Sequence, residues 1–149
     1  MECQVNRITY ADSVPVTTLA KKICDFKQSF TQYGGSRPFG TALLIGGVDD
    51  EGIHLFETDP SGAYQSYHAG GIGSGRSTVC DFFESNWKKN MTLNAAIKLG
   101  LEALRTSLDS ELNREAVEIA IIDKDGYRTL SREDVNKNID KLKPLDNDE

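Results

Sequence analysis

The stretch that most constrains this chain runs from Arg37 to Gly62. Gly40 to Gly47 is a small and aliphatic run without charge, the pattern of a strand buried on both faces. Val48-Asp-Asp-Glu-Gly52 is a polar turn, and Ile53 to Thr58 runs back as a second strand. Asp59-Pro-Ser-Gly62 is the strongest turn signal in the chain: Pro60 is preset for the second turn position and Gly62 tolerates positive φ. Ala63 to His68 then reads as a third strand, completing an antiparallel meander.

A helix precedes the meander. Ser13-Val14-Pro15 looks like its start. Val16, Leu19, Ala20, Ile23, Cys24, Phe26 and Phe30 follow at helical spacing, with Lys21, Lys22 and Lys27 expected on the wet side and Gly34-Gly35 as the stop. After the meander, Gly70 to Gly75 is a link that opens a helix at Ser77 or Thr78, whose stripe is Val79, Phe82, Phe83 and Trp87, closed by Lys88-Lys89-Asn90. Thr92 can cap the next helix, striped by Leu93, Ala96, Ile97, Leu101, Leu104 and Leu108, in which Gly100 could admit another backbone. Ala116 to Ile122 is strand-like, Asp123 to Gly126 a hairpin turn, and Tyr127 to Leu130 the return strand. Ser131 caps a last helix with Asp134 as partner and Val135, Ile139 and Leu142 as its apolar face. Residues 144–149 form an acidic tail. The order helix, three strands, two helices, two strands, helix makes the chain α+β, organised as a single domain over residues 1–149.

The formal net charge of −6 argues against nucleic-acid binding and against docking to anionic membranes. No apolar run approaches the ~20 residues of a membrane helix, and Met1 to Arg7 lacks the apolar stretch of a signal peptide. Cys3, Cys24 and Cys80 are odd in number and widely spaced, which fits thiols in a reducing cytoplasm better than a disulfide framework or a zinc site.

At this point the residues carry a resemblance. Arg37-Pro38-Phe39-Gly40, Leu44 to Asp49, Leu55 to Gly62 (with Asp59-Pro60-Ser61-Gly62) and Ile72-Gly73-Ser74-Gly75 resemble an α-type subunit of the proteasome core particle. Leu19 to Ile23, Tyr33-Gly-Gly35 and Met91-Thr-Leu93 are similar to its archaeal form. The resemblance runs from about residue 7 to residue 142 and implies an N-terminal nucleophile hydrolase-like α-β-β-α sandwich. It also implies a non-catalytic subunit of a heptameric ring, with neighbouring α-type and β-type subunits as partners. That ring encloses the proteolytic chamber and controls substrate entry in the cytoplasm. An α-type subunit of this kind would carry roughly another hundred residues on the N-terminal side. These include the strands of the other half of the sandwich and the lysine pocket that receives regulatory ATPases. The sandwich is therefore expected to be incomplete, with an apolar sheet face partly uncovered.

The chemical alternatives are weak. Gly71-Ile-Gly-Ser-Gly-Arg76 before a helix invites an anion-binding reading. It lacks the Walker Lys-Ser/Thr, a complete G-x-G-x-x-G and an acidic ribose partner, so no cofactor is expected. Ser74 stands in a Gly-Ser-Gly setting similar to that near the nucleophile of catalytic β-type subunits. Its supporting Arg-Asp is replaced by Arg114-Glu115, and the following Ser-Gly-Gly is absent. A degenerate hydrolase and a gene fragment without independent function are the rival readings, with a small-molecule binding module at Gly71–Arg76 behind them. His54 and His68 lie on adjacent predicted strands, with Asp59 or Glu57 within reach of His68, but nothing fixes a third metal ligand. Asp49-Asp50-Glu51 has too few ligands for an EF-hand. Arg37 is expected to pin loop carbonyls or a carboxylate in a structural or interfacial role.

Overall fold

The structure is a computed structural model that describes residue 4 and residues 13–32, 39–108 and 110–142. The elements are α1 (Val16–Gln32), β1 (Leu43–Asp49), β2 (Gly52–Thr58), β3 (Tyr64–Ser66), α2 (Arg76–Asn86), α3 (Leu93–Leu108), β4 (Ala120–Asp123), β5 (Gly126–Thr129) and α4 (Arg132–Asp140). This is the order expected from the sequence, with helices and small antiparallel sheets. Gly34-Gly35, Arg37, Pro38 and the tail 144–149 lie outside the described residues. The chain divides into two compact units, Met1–His68 with Ile122–Asp125, and Ala69–Ile121 with Gly126–Glu149.

In the first unit the sheet order is β1-β2-β3, all antiparallel. Asp49 pairs with Gly52, Ile45 with Phe56 and Leu43 with Thr58. Side chains alternate along a strand. Ile45, Gly47 and Asp49 therefore share a face with His54, Phe56 and Thr58, and this is the face that meets α1. Val16, Ala20 and Phe56 form its core, with Ile45 packed against them. Gly47 permits the contact, since a Cβ there would stand 2.6 Å from Val16 Cγ2. On the opposite face Ile53 is 87% exposed and Leu44 is also exposed. The expectation that β1 is buried on both faces is thus corrected: the run is apolar, but one face is largely open among the described residues, where Ile122 Cδ1 lies 3.7 Å from a Cβ built on Gly46. The strand also starts at Leu43 rather than Gly40.

Two assignments on α1 are reversed. Lys27, expected in solvent, is 1% exposed. Its Nζ donates to the Thr58 hydroxyl at 2.8 Å and to the Thr41 carbonyl at 3.0 Å. Phe26, expected in the core, is 58% exposed. Its ring lies edge-on to Phe30 at 5.0 Å, and Phe30 in turn to Phe39 at 5.2 Å. The buried face is Val16, Ala20, Cys24 and Lys27, at intervals of four, four and three. Periodicity places Lys27 inward. Reading every lysine as solvated placed it outward, because that reading ignores the two acceptors the sheet supplies.

In the second unit Leu101, Leu112, Val117, Val135 and Ile139 form the core, with Ile97, Ile119, Leu130 and Leu142 packed against it. Thr92 caps α3, accepting from Ala95 N–H at 3.3 Å. Ser131 caps α4 by accepting from Asp134 N–H at 3.1 Å while its hydroxyl donates to Asp134 at 2.7 Å. Both caps follow the sequence reading. The α3 stripe does so in part: Leu101 is buried and Ile97 packs against the core, but Leu99 and Ala103 are buried as well, whereas Leu93, Leu104 and Leu108 are exposed. Nothing lies within 4 Å of a Cβ built on Gly100 among the described residues, so the close approach expected there is absent. Arg132 fastens the loop ahead of the hairpin by donating from Nη1 to the carbonyls of Arg114 and Val117. The strand expected from Ala116 is regular only from Ala120.

Replacing Lys27 with Ala removes a buried side chain and leaves the Thr58 hydroxyl and the Thr41 carbonyl without their donor. A urea titration of Lys27→Ala is expected to show a loss of about 2–4 kcal/mol. A loss under about 1 kcal/mol would mean that this seat contributes little to the fold.

Candidate functional site

The sequence directs attention to the Asp59–Gly62 turn, the Gly73–Gly75 link and the Arg37–Gly40 approach to β1. Arg37 and Pro38 lie outside the described residues, and Phe39 is half-buried beside Phe30. The turn belongs to the first unit, where it lies on α1, and the link to the second, where it leads into α2.

The turn is closed by its own side chains. Asp59 N–H donates to the Ala63 carbonyl at 3.0 Å, and Gly62 N–H donates to the Asp59 carbonyl at 3.2 Å. One carboxylate oxygen of Asp59 accepts from the Ser61 hydroxyl at 2.6 Å and from Ala63 N–H at 3.1 Å. The Ser61 bond, helped by neighbouring backbone amides and opposed by burial, holds the Asp59 carboxyl below its ordinary pKa. Gly62 has φ +94°. A Cβ there would stand 2.8 Å from the Cys24 carbonyl oxygen and 3.0 Å from the Gln28 nitrogen. Only glycine provides both the left-handed backbone and the clearance that lets the turn lie on the helix.

The Gly71–Arg76 link behaves as a strand-to-helix connection. Arg76 N–H donates to the Gly73 carbonyl and Val79 N–H to the Gly75 carbonyl. Gly75 precedes α2 with no side-chain cap. A Cβ on Gly75 would meet Ser107 Cβ at 2.9 Å, so the small residue is needed for packing against α3. Ser74 is exposed on this link.

Sequence reasoning missed a third cluster at the β1–β2 turn. One carboxylate oxygen of Asp49 accepts from Val16 N–H, the first residue of α1, at 2.9 Å. The other accepts from Glu51 N–H at 2.9 Å and faces His54 Nε2 at 2.8 Å. The bond from Val16 is the main reason that Asp49 sits below its ordinary pKa; burial opposes it, while His54 and Glu51 add to it. Asp49, Glu51 and His54 each place a ligand-type atom within 4.8 Å of the others. The signal available in the sequence was the register: a two-residue turn between Asp49 and Gly52 puts residue 54 on the same face as residue 49.

A family profile described as proteasome subunit matches residues 1–122. Among curated proteins the chain is similar to the proteasome subunit alpha of Methanobrevibacter smithii, with 49% identity over 95% of this chain and 58% of the relative. The corresponding subunit of Methanothermobacter thermautotrophicus is 47% identical over the same shares, and that of Methanopyrus kandleri is 45% identical over 100% of this chain and 61% of the relative. The chain thus spans about three fifths of the length of the curated relatives it matches.

Two substitutions test the site. Gly62→Ala is expected to lower stability by about 2–4 kcal/mol, adding backbone strain to a collision with α1. A urea midpoint unchanged from the parent would show that the turn does not bear on the helix. Asp49 binds its proton more weakly folded than unfolded. Its stabilising effect is therefore present above the ordinary carboxylate range of about 4 and is lost as pH falls through the lowered folded value. Thermal melts of Asp49→Asn are expected to depend less steeply on pH below about 4.5 than those of the parent. Parallel curves would remove Asp49 from the acid transition.

Proposed function

The chain belongs to the proteasome subunit family, and from that premise we propose that it serves as a structural, non-catalytic α-type subunit of the core particle. The observation that carries this reading is the identity of 45–49% to subunits named alpha, extending over 95–100% of this chain. On this reading the chain forms part of an outer ring with neighbouring α-type subunits, stacks on β-type subunits and helps to enclose the proteolytic chamber. The N-terminal nucleophile hydrolase-like sandwich is part of the proposal. A three-stranded sheet covered by a helix on one face and largely open on the other, with Leu44 and Ile53 exposed, supports it, since a two-sheet sandwich requires an apolar face for the second sheet.

Two local features favour a non-catalytic role. Ser74 is exposed on a link whose Gly73 and Gly75 carbonyls accept turn and helix bonds from Arg76 N–H and Val79 N–H. Asp59 and Ser61 use their side-chain bonds to close the turn, and Gly62 supplies the clearance with which it lies on α1, rather than presenting a nucleophile.

The test is light scattering on size-exclusion fractions of the chain co-expressed with a β-type subunit. The expected outcome is a discrete species many times the 16.4 kDa of one chain, containing both polypeptides. A chain that elutes only as monomer or as polydisperse aggregate beside the β-type subunit would defeat the assembly role. The purified chain alone is expected not to hydrolyse fluorogenic peptides, and turnover that co-purifies with it would favour the hydrolase reading.

A further inference from the structure

The geometry points to a divalent-cation site at the β1–β2 turn, formed by Asp49, Glu51 and His54 and suited to a borderline ion of the zinc class. One imidazole nitrogen and two carboxylate oxygens are a ligand set such ions accept, with solvent completing the shell. The three ligand atoms lie within 4.8 Å of one another. His54 Nε2 and the Asp49 oxygen stand 2.8 Å apart. Two ligands bound at about 2.1 Å to one ion are about 3.0–3.4 Å apart, so those two need to part by only about half an ångström.

Two of the three ligands are already held. Both oxygens of Asp49 accept backbone amides, from Val16 and Glu51, and these bonds survive if an ion takes the place of the His54 hydrogen. Such outer bonds orient and fix a ligating carboxylate. The His54 ring lies parallel to Phe56 at a centroid distance of 6.0 Å. Glu51 is exposed on the turn, where its side chain can swing to close the site and where solvent gives the ion access. A carboxylate only accepts, so Nε2 carries the hydrogen in the metal-free pair. On binding, that proton passes to Nδ1 and the ion occupies Nε2, without net proton release from a neutral ring. Asp50 beside the site adds a further negative charge. The ion would tie the hairpin tip to the start of α1 through Asp49.

Calorimetric titration of the full chain with Zn2+ tests this, using Co2+ absorption as a second probe. One equivalent of Zn2+ is expected to bind. Glu51→Gln, which alters an exposed side chain, and His54→Gln are each expected to weaken binding by at least about tenfold. Co2+ should give a d–d spectrum without a thiolate charge-transfer band. A titration without saturable heat overturns the inference. So does binding unchanged in Glu51→Gln, binding abolished instead by His68→Gln or Cys80→Ser, or a thiolate band in the Co2+ spectrum. Far-ultraviolet dichroism of each variant verifies that it is folded, and Glu51→Gln keeps the test decisive if His54→Gln does not fold.

Discussion

Lys27 is the residue on which the first unit turns. Its Nζ reaches Thr58 at the end of β2 and Thr41 just before β1, so one side chain ties α1 to both strands at the open end of the hairpin. Asp49 does the complementary work at the closed end by accepting from Val16. The two tethers are eleven residues apart on the helix, about 16 Å at 1.5 Å per residue. From Leu43 to Asp49 the strand rises about 20 Å. These lengths match closely enough for α1 to lie along the hairpin from tip to base. The Asp59–Gly62 turn then follows Thr58 directly and rests on the helix at Cys24, about one turn before Lys27, and at Gln28 beside it. Burying a polar group without a partner costs several kcal/mol. Lys27 therefore favours this one placement of helix on sheet over any rotation that would strand its Nζ.

Element order was legible because each boundary carries local chemistry. Thr92, Ser131 and the Asp59–Gly62 turn act through bonds to residues a few positions away, and the chain alone specifies those. Burial was less legible because it depends on what lies opposite. Phe26 and Lys27 are neighbours on one helix, and residue type assigns them to the wrong sides. The sheet offers a hydroxyl and a carbonyl where Lys27 points, while Phe30 and Phe39 offer aromatic edges outside. The glycines show the same limit. Gly100 interrupts a helical stripe, yet close approaches fall at Gly71, beside the nearby Val79, and at Gly47, Gly62 and Gly75, which face Val16, Cys24 and Ser107, residues distant in sequence.

The candidate site divides along the same line. The Asp59–Pro60–Ser61–Gly62 turn was readable as a shape-fixing element, and its internal bonds are those its composition predicts. That it seats α1 was not readable, since contact between residues 24 and 62 is a tertiary fact. The grouping of Asp49, Glu51 and His54 required the hairpin register. With one residue more in the turn, β2 would flip as a whole and His54, together with Phe56, would face away from Asp49.

The exposed apolar residues bear on the family reading in a way that composition cannot. Leu44 and Ile53 lie on the face of the sheet turned away from α1, so their exposure follows from the alternation that buries Ile45 and Phe56. A solvated sheet face ordinarily carries the polar residues of each strand's alternation. Here Leu44, Gly46 and Val48 on β1 stand with Ile53 and Leu55 on β2, and only Glu57 brings a charge. Such a face is built to be covered. The chain spans about three fifths of its relatives' length. On the proposed α-type reading a second sheet would cover this face, while α1 and its Lys27 seat already cover the other.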